Sequence, residues 1–251
     1  MRKLTAMSHS TGIRSTIHLA ESRVDAKYIS SLGHTPASYA KSVGLLTPST
    51  VFAHTVHMDK NSDIPAFAAS GTHISHCPTS NAKLASGTCP LPDLLEAGVN
   101  VSLGTDGCAC NNTCDMFLEM RLAALIHNTP EHPAPIRAET ALEMATINGA
   151  KALGLEDTIG SLEVGKRADF VAINTNKAPL QPCIDPVSNV VYATTGRDVH
   201  VVVVDGQLLV EQGKVLTMDE EAVVENANQA IRGLLQRVGF HDQVGSPWPI
   251  Q

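Results

Sequence analysis

Four short apolar runs in this chain each lead to a residue that can bind a metal or move a proton, and their spacing limits the fold more than any other feature. Ile17 and Leu19 flank His18, Val51 to Ala53 run into His54, Thr72 to Ile74 lead to His76, and Val99, Val101 and Leu103 alternate before Asp106. Between them lie helical patterns: Tyr28, Ile29, Leu32 and Tyr39 within Asp25 to Ser42, then Asp63 to Ser70 broken by Gly71, then Pro92 to Ala97 stopped by Gly98. Strand and helix alternate four times, which predicts a parallel sheet with crossover helices. In a parallel barrel the C-terminal strand ends share one rim. Two imidazoles and a carboxylate at such ends are what a metal-assisted hydrolase needs.

The texture changes downstream. Met116, Phe117, Met120, Ala123 and Ala124 recur at helical spacing, a stripe that reads as core, and Ala138 to Leu153 predicts a helix capped by Gly154. From Gly160 the runs become short and β-like: Phe170 to Ile173, Val199 to Val204, the turn Asp205-Gly206, and Gln207 to Val210. The expected organisation is an unstructured start at 1–12, the barrel segment at 13–158, a small β-sandwich segment at 159–217, a helix at 218–240 and a loose tail at 241–251.

Composition narrows the function. The 18 Lys and Arg are scattered through a chain of net charge -7, so no basic stripe offers itself to nucleic acid. No apolar run is long enough for a bilayer and no apolar segment follows the basic start, so a cytoplasmic protein is expected. Cys108, Cys110 and Cys114 have neither zinc-knuckle nor disulfide-framework spacing and read as small side chains in a tight turn. Asn111-Asn112-Thr113 matches a glycosylation sequon that carries little weight without an export signal, and Gly165-Lys166-Arg167 fails the phosphate-loop pattern.

Five ordered motifs carry a resemblance. His18-x-x-Glu21, Ala53-His54-Thr55-Val56-His57, His76-Cys77-Pro78-Thr79-Ser80-Asn81, Gly104-Thr105-Asp106-Gly107 and the run from Gly160 to Asp169 resemble the second half of an amidohydrolase-superfamily metal-dependent deaminase. The branch is that of S-adenosylhomocysteine/5'-methylthioadenosine deaminases and s-triazine hydrolases. The resemblance implies an incomplete (β/α)8 TIM-type barrel, strands five to eight, with His18 on the fifth, His54 on the sixth and Asp106 on the eighth. It also implies a β-sandwich beside the barrel. A full barrel takes about 250 residues, yet 105 precede Asp106 here, and the chain has no His-x-His pair of the kind the family's first strand supplies. A truncated chain, inactive alone, is therefore expected. Its open sheet would need a complementing N-terminal half or would associate with itself.

By the same resemblance one divalent ion, zinc with iron and manganese as options, is held by His18 and Asp106. Glu21, His54 and Asp106 are the expected catalytic groups: Glu21 protonates a ring nitrogen, His54 steadies the adding water, and Asp106 moves its proton. Glu21, Asp106, His76, Ser80 and Asn81 are expected to bind substrate, although His76, Ser80 and Asn81 could equally tie down their loop. His57 reads as a solvated loop residue, and the other histidines receive no role. The expected reaction is hydrolytic deamination of a purine-type ring in an adenosine-type thioether nucleoside. The alternatives are hydrolysis of an s-triazine or another aminated heterocycle, and a non-catalytic remnant that binds a partner.

Overall fold

A computed structural model of the chain describes residues 2–240; the tail expected at 241–251 lies outside them. The chain opens with α1 (Arg2–Thr11) and β1 (Ser15–Leu19), then α2 (Arg23–Ser31), α3 (Pro36–Ser42), β2 (Thr50–His54), α4 (Asp63–Ser70) and β3 (His73–His76). It continues through α5 (Pro78–Lys83), α6 (Leu91–Glu96) and β4 (Val101–Leu103) to α7 (Cys108–Asn111), α8 (Met116–Leu125), α9 (Ala138–Ala145) and α10 (Ile147–Leu153). The strands β1 to β4 form one parallel sheet in sequence order, as the alternation requires.

Register explains how this sheet sorts its residues. Ile17 pairs with Phe52, Phe52 with Ile74 and Ile74 with Val101, so these four share the face that meets the helices. Phe52, Ile74 and Val101 are almost fully buried there, and Phe52 packs edge-on to Phe67 of α4 with centroids 5.4 Å apart. The opposite face aligns His18 with Ala53, Ala53 with Ser75 and Ser75 with Ser102, a row of small or polar side chains. Because all four strands are parallel, their C-terminal ends lie along one edge of the sheet.

Three expectations change ahead of the β-rich remainder. Residues 1–12, expected to be unstructured, contain α1, which docks through buried Thr5; a Cβ placed on Gly44 would come within 3.0 Å of the Thr5 methyl. The stretch Asp25 to Ser42 is two helices. Gly33, at φ +77°, ends α2, and a capping box between Thr35 and Ser38 with Pro36 in the first turn starts α3. Ala138 to Leu153 also breaks, at Thr146 with φ −128° and ψ −95°. The break sets α10 against β4, where Asn148 Nδ2 donates to the Val101 carbonyl at 3.1 Å and its own carbonyl accepts from Asn100 Nδ2 at 3.0 Å.

The β-rich remainder comprises β5 (Phe170–Ile173), α11 (Pro186–Tyr192), β6 (Val199–Val204), β7 (Gln207–Glu211), β8 (Lys214–Val215) and finally α12 (Glu220–Val238). Asp205 and Gly206 both take positive φ, +51° and +75°, the twist that a two-residue hairpin between β6 and β7 demands. In place of the expected sandwich these strands make one antiparallel sheet in the order β5-β6-β7-β8. A sandwich buries one face of each of two sheets. Here Phe170 and Val171, on opposite faces, are both exposed, and no second sheet of the described residues covers either.

Candidate active site

His18, Glu21 and His54 offer ligand atoms that all lie within 4.8 Å of one another. His18 is the penultimate residue of β1 and Glu21 follows that strand by two residues. His54 closes β2 with φ +70°, leaving the pleat, and its ring centroid comes to 5.0 Å from that of His18. Asp106, also left-handed at φ +60°, follows β4 and brings Oδ2 to 4.0 Å from His54 Nε2. Glu21 Oε2 is 3.7 Å from the same nitrogen. Left-handed backbone at non-glycine residues costs about 1–3 kcal/mol each, and such strain concentrates at functional sites.

Two consecutive buried residues of α5 orient this group. The Ser80 hydroxyl donates to Asp106 Oδ2 at 2.6 Å, and the Asn81 carbonyl oxygen lies 2.9 Å from His54 Nδ1. Accepting from Nδ1 leaves the lone pair of His54 on Nε2, facing the two carboxylates. The Gly107 amide donates to Asp106 Oδ1 at 2.7 Å. Burial pushes the Asp106 carboxyl upward, but the Ser80 hydroxyl, the Gly107 amide, His54 and Cys110 outweigh it and hold the acid below its ordinary value. Among the described residues no Lys or Arg pairs with Glu21 or Asp106. Two carboxylates facing an imidazole lone pair form a donor set that fits a divalent ion.

The expected site residues therefore divide. His18, Glu21, His54 and Asp106 come together. Ser80 and Asn81, expected in substrate binding, are 0% and 2% exposed and serve as partners of Asp106 and His54. His76 is also displaced from that expectation. It shares the helix-facing side of β3 with Ile74, is fully buried, and neither ring nitrogen has a hydrogen-bond partner. Its ring centroid lies 5.9 Å from that of His127, and burial, reinforced by His127 and His54, pushes its pKa down to about 3. Strand-end position located His76 but did not say which face it takes. His57 is half-buried, its Nε2 2.8 Å from the Ser86 carbonyl.

Two supporting residues escaped the sequence reading. Ser86 donates to Glu21 Oε1 at 3.3 Å across 65 positions, which leaves no local signal. Glu119, fully buried in α8, accepts from Asn111 Nδ2 at 2.7 Å and from the Thr79 amide at 3.2 Å, tying α7 and the start of α5 to one helix. A lone acid within the Met116, Met120 and Ala123 stripe was the signal available for it.

The chain that carries this geometry is similar to known proteins. Residues 1–209 match the sequence model of the amidohydrolase family. A 5-methylthioadenosine/S-adenosylhomocysteine deaminase of Teredinibacter turnerae is 48% identical over 217 residues, covering 85% of this chain and 48% of that protein. A 5'-deoxyadenosine deaminase of Methanosarcina acetivorans is 40% identical over 239 residues, covering 94% and 55%. The chain thus spans about half the length of the curated relatives it matches. Among solved structures, an adenosine deaminase from Xanthomonas campestris with bound zinc superposes at TM-score 0.87 and 34% identity, covering 91% of this chain and 52% of that one. A zinc-complexed atrazine chlorohydrolase from Arthrobacter aurescens superposes at TM-score 0.84 and 30% identity, with coverage of 91% and 52%.

Proposed function

The chain belongs to the amidohydrolase family, and on that premise we propose that it supplies the half-barrel of strands five to eight of a hydrolytic deaminase acting on adenosine-type thioether nucleosides. The observation that carries this is the convergence of His18, Glu21 and His54, with Asp106 approaching the same His54 nitrogen as Glu21. In this reading residues 13–158 are the half-barrel, 159–217 the accompanying β segment and 218–240 the closing helix. The other half of the barrel is the partner that completes the rim. The six free thiols suit a reducing cytoplasm.

His18 and Asp106 hold one divalent ion, zinc by the precedent of the zinc-bound neighbours. An ion held by those residues would supply a water of lowered pKa, available as the nucleophile near neutrality. The remaining work falls to the chain. Glu21 gives a proton to the ring nitrogen beside the amine-bearing carbon. Its 24% side-chain exposure leaves it open to a substrate from the cleft side. His54, fixed by Asn81, hydrogen-bonds the adding water through Nε2. Asp106, fixed by Ser80 and Gly107, takes one proton of that water and passes it to the departing ammonia, while the proton left on the new hydroxyl returns to Glu21 as the carbonyl forms.

The test has two parts. Zinc titration of the chain is expected to show a site weakened by His18→Ala and by Asp106→Ala; binding indifferent to both substitutions overturns the assignment. Supplied in trans with the first half of the Teredinibacter turnerae relative, the chain is then given 5'-methylthioadenosine, S-adenosylhomocysteine and atrazine. Ammonia release from the nucleosides supports the proposal. Turnover of atrazine alone selects the second reading, an s-triazine hydrolase, which the likeness to atrazine chlorohydrolase favours.

A further inference from the structure

The three cysteines after Asp106 do more than fill a turn. Helix α7 makes a single turn, Asn112 reverses the chain at φ +78°, and Cys114, at φ +49°, returns toward the start of the segment. Cys108 Sγ and Cys114 Sγ consequently lie 3.3 Å apart, and both residues are exposed. Cys110, between them in sequence, takes no part in the pair and faces the Asp106 carboxylate. Two exposed thiols already in contact need a shift of about 1 Å to reach the roughly 2.05 Å of a covalent bridge.

We propose that Cys108 and Cys114 are a reversible disulfide site that exchanges with small disulfides such as oxidised glutathione. One thiolate attacks a sulfur of the small disulfide, forming a mixed disulfide and releasing one glutathione thiolate. The second cysteine then attacks the protein-side sulfur, closes the Cys108–Cys114 bond and releases the second glutathione. The two electrons and, at neutral pH, the two protons end on the two glutathione thiols. The ring so closed contains Asn111, whose side chain donates to the Thr105 carbonyl at 2.9 Å and to Glu119 Oε1. Oxidation therefore clamps the turn that follows Asp106. The inference rests on sulfur geometry and is independent of which ring the enzyme hydrolyses.

Differential alkylation and mass spectrometry of the full chain, before and after equilibration with oxidised glutathione, test it. Labelling of Cys108 and Cys114 is expected to fall about tenfold relative to half-buried Cys183, to return with dithiothreitol, and to coincide with a peptide cross-linked between those two positions. Cys110→Ser is expected to keep the cross-link and Cys108→Ser to abolish it. The map on the unsubstituted chain does not depend on either variant folding. Labelling of both sulfurs that persists like that of Cys183, a bridge through Cys110, or a glutathione adduct that never closes overturns the proposal.

Discussion

At the scale of single residues, Ser80 and Asn81 are neighbours in sequence with separate charges. One fixes an acid, the other an imidazole tautomer. Outer partners of ligating groups are typically worth about 10–100-fold in metal affinity. Ser80→Ala is accordingly expected to weaken zinc binding by about that factor through Asp106 in a chelator competition, whereas Asn81→Ala, which frees the water-orienting His54, is expected to leave the affinity and to lower turnover of the completed barrel. An unchanged affinity in Ser80→Ala, or unchanged turnover in Asn81→Ala, would assign that side chain to packing alone. His76 yields a prediction of another kind. Its folded-state pKa of about 3 lies well below the ordinary 6.5, so the unfolded chain takes up a proton that the folded chain refuses. Stability linked to His76 is therefore complete above pH 6.5 and is lost as pH falls toward 3, by up to about 1.4 kcal/mol per unit. His76→Met should gain about 2 kcal/mol on the original chain between pH 7 and pH 5 in urea unfolding. A constant difference at the two pH values would refute this. The face taken by His76 was open to the sequence, since Ile74 two residues earlier is apolar and parity puts both on one side. The bond from Ser86 to Glu21 was not, because a contact across 65 positions has no periodic trace.

At the scale of elements, the strands were the most legible part because their apolar alternation is local, while helix boundaries depended on backbone events that a periodic pattern spans. Thr146 keeps its place in the helical spacing yet breaks the helix, since Asn148 must reach Asn100 and Val101. The approach of β4 to β3 is set by a different device. A Cβ on Gly104 would lie 2.6 Å from Ser75 Oγ and 3.3 Å from Cys77 Sγ, so these strand ends pack through the missing side chain. Gly104→Ala is expected to cost about 1–3 kcal/mol, the ordinary range for overpacking. Ser75→Ala, which removes the closer atom, should return part of that loss in the double variant. A thermal-unfolding cycle measures the coupling, and strictly additive effects would show that the strands adjust in some other way.

At the scale of the whole molecule, the motif order read from the sequence is the order in which the four parallel strands pair, but the number of residues could not say what lies against the outer strands. Within the described residues β1 and β4 each have a single neighbour. A groove of about 390 Å³ follows β1, lined by Ile17, Tyr28, Ile29, Tyr39 and Phe52 among others. At the other extreme of the chain, α12 has no buried residue, and Val224, Ile231, Leu234 and Val238 expose an apolar stripe along 19 residues. A helix of this length with no buried residue is marginal in water, whereas β2 and β3 are paired on both sides and covered by the α4 and α6 core. Hydrogen exchange of the chain at low concentration should therefore separate the two by about a hundredfold or more in protection, α12 opening first and β2 and β3 only with global unfolding. The amides of β1 that point away from β2 should exchange early as well. Raising the concentration tests what these surfaces are for. If a second copy covers the stripe, α12 gains protection in step with a larger species in light scattering. If α12 is as protected as β2 in the monomer, its stripe is covered within one chain and the exposed placement is wrong.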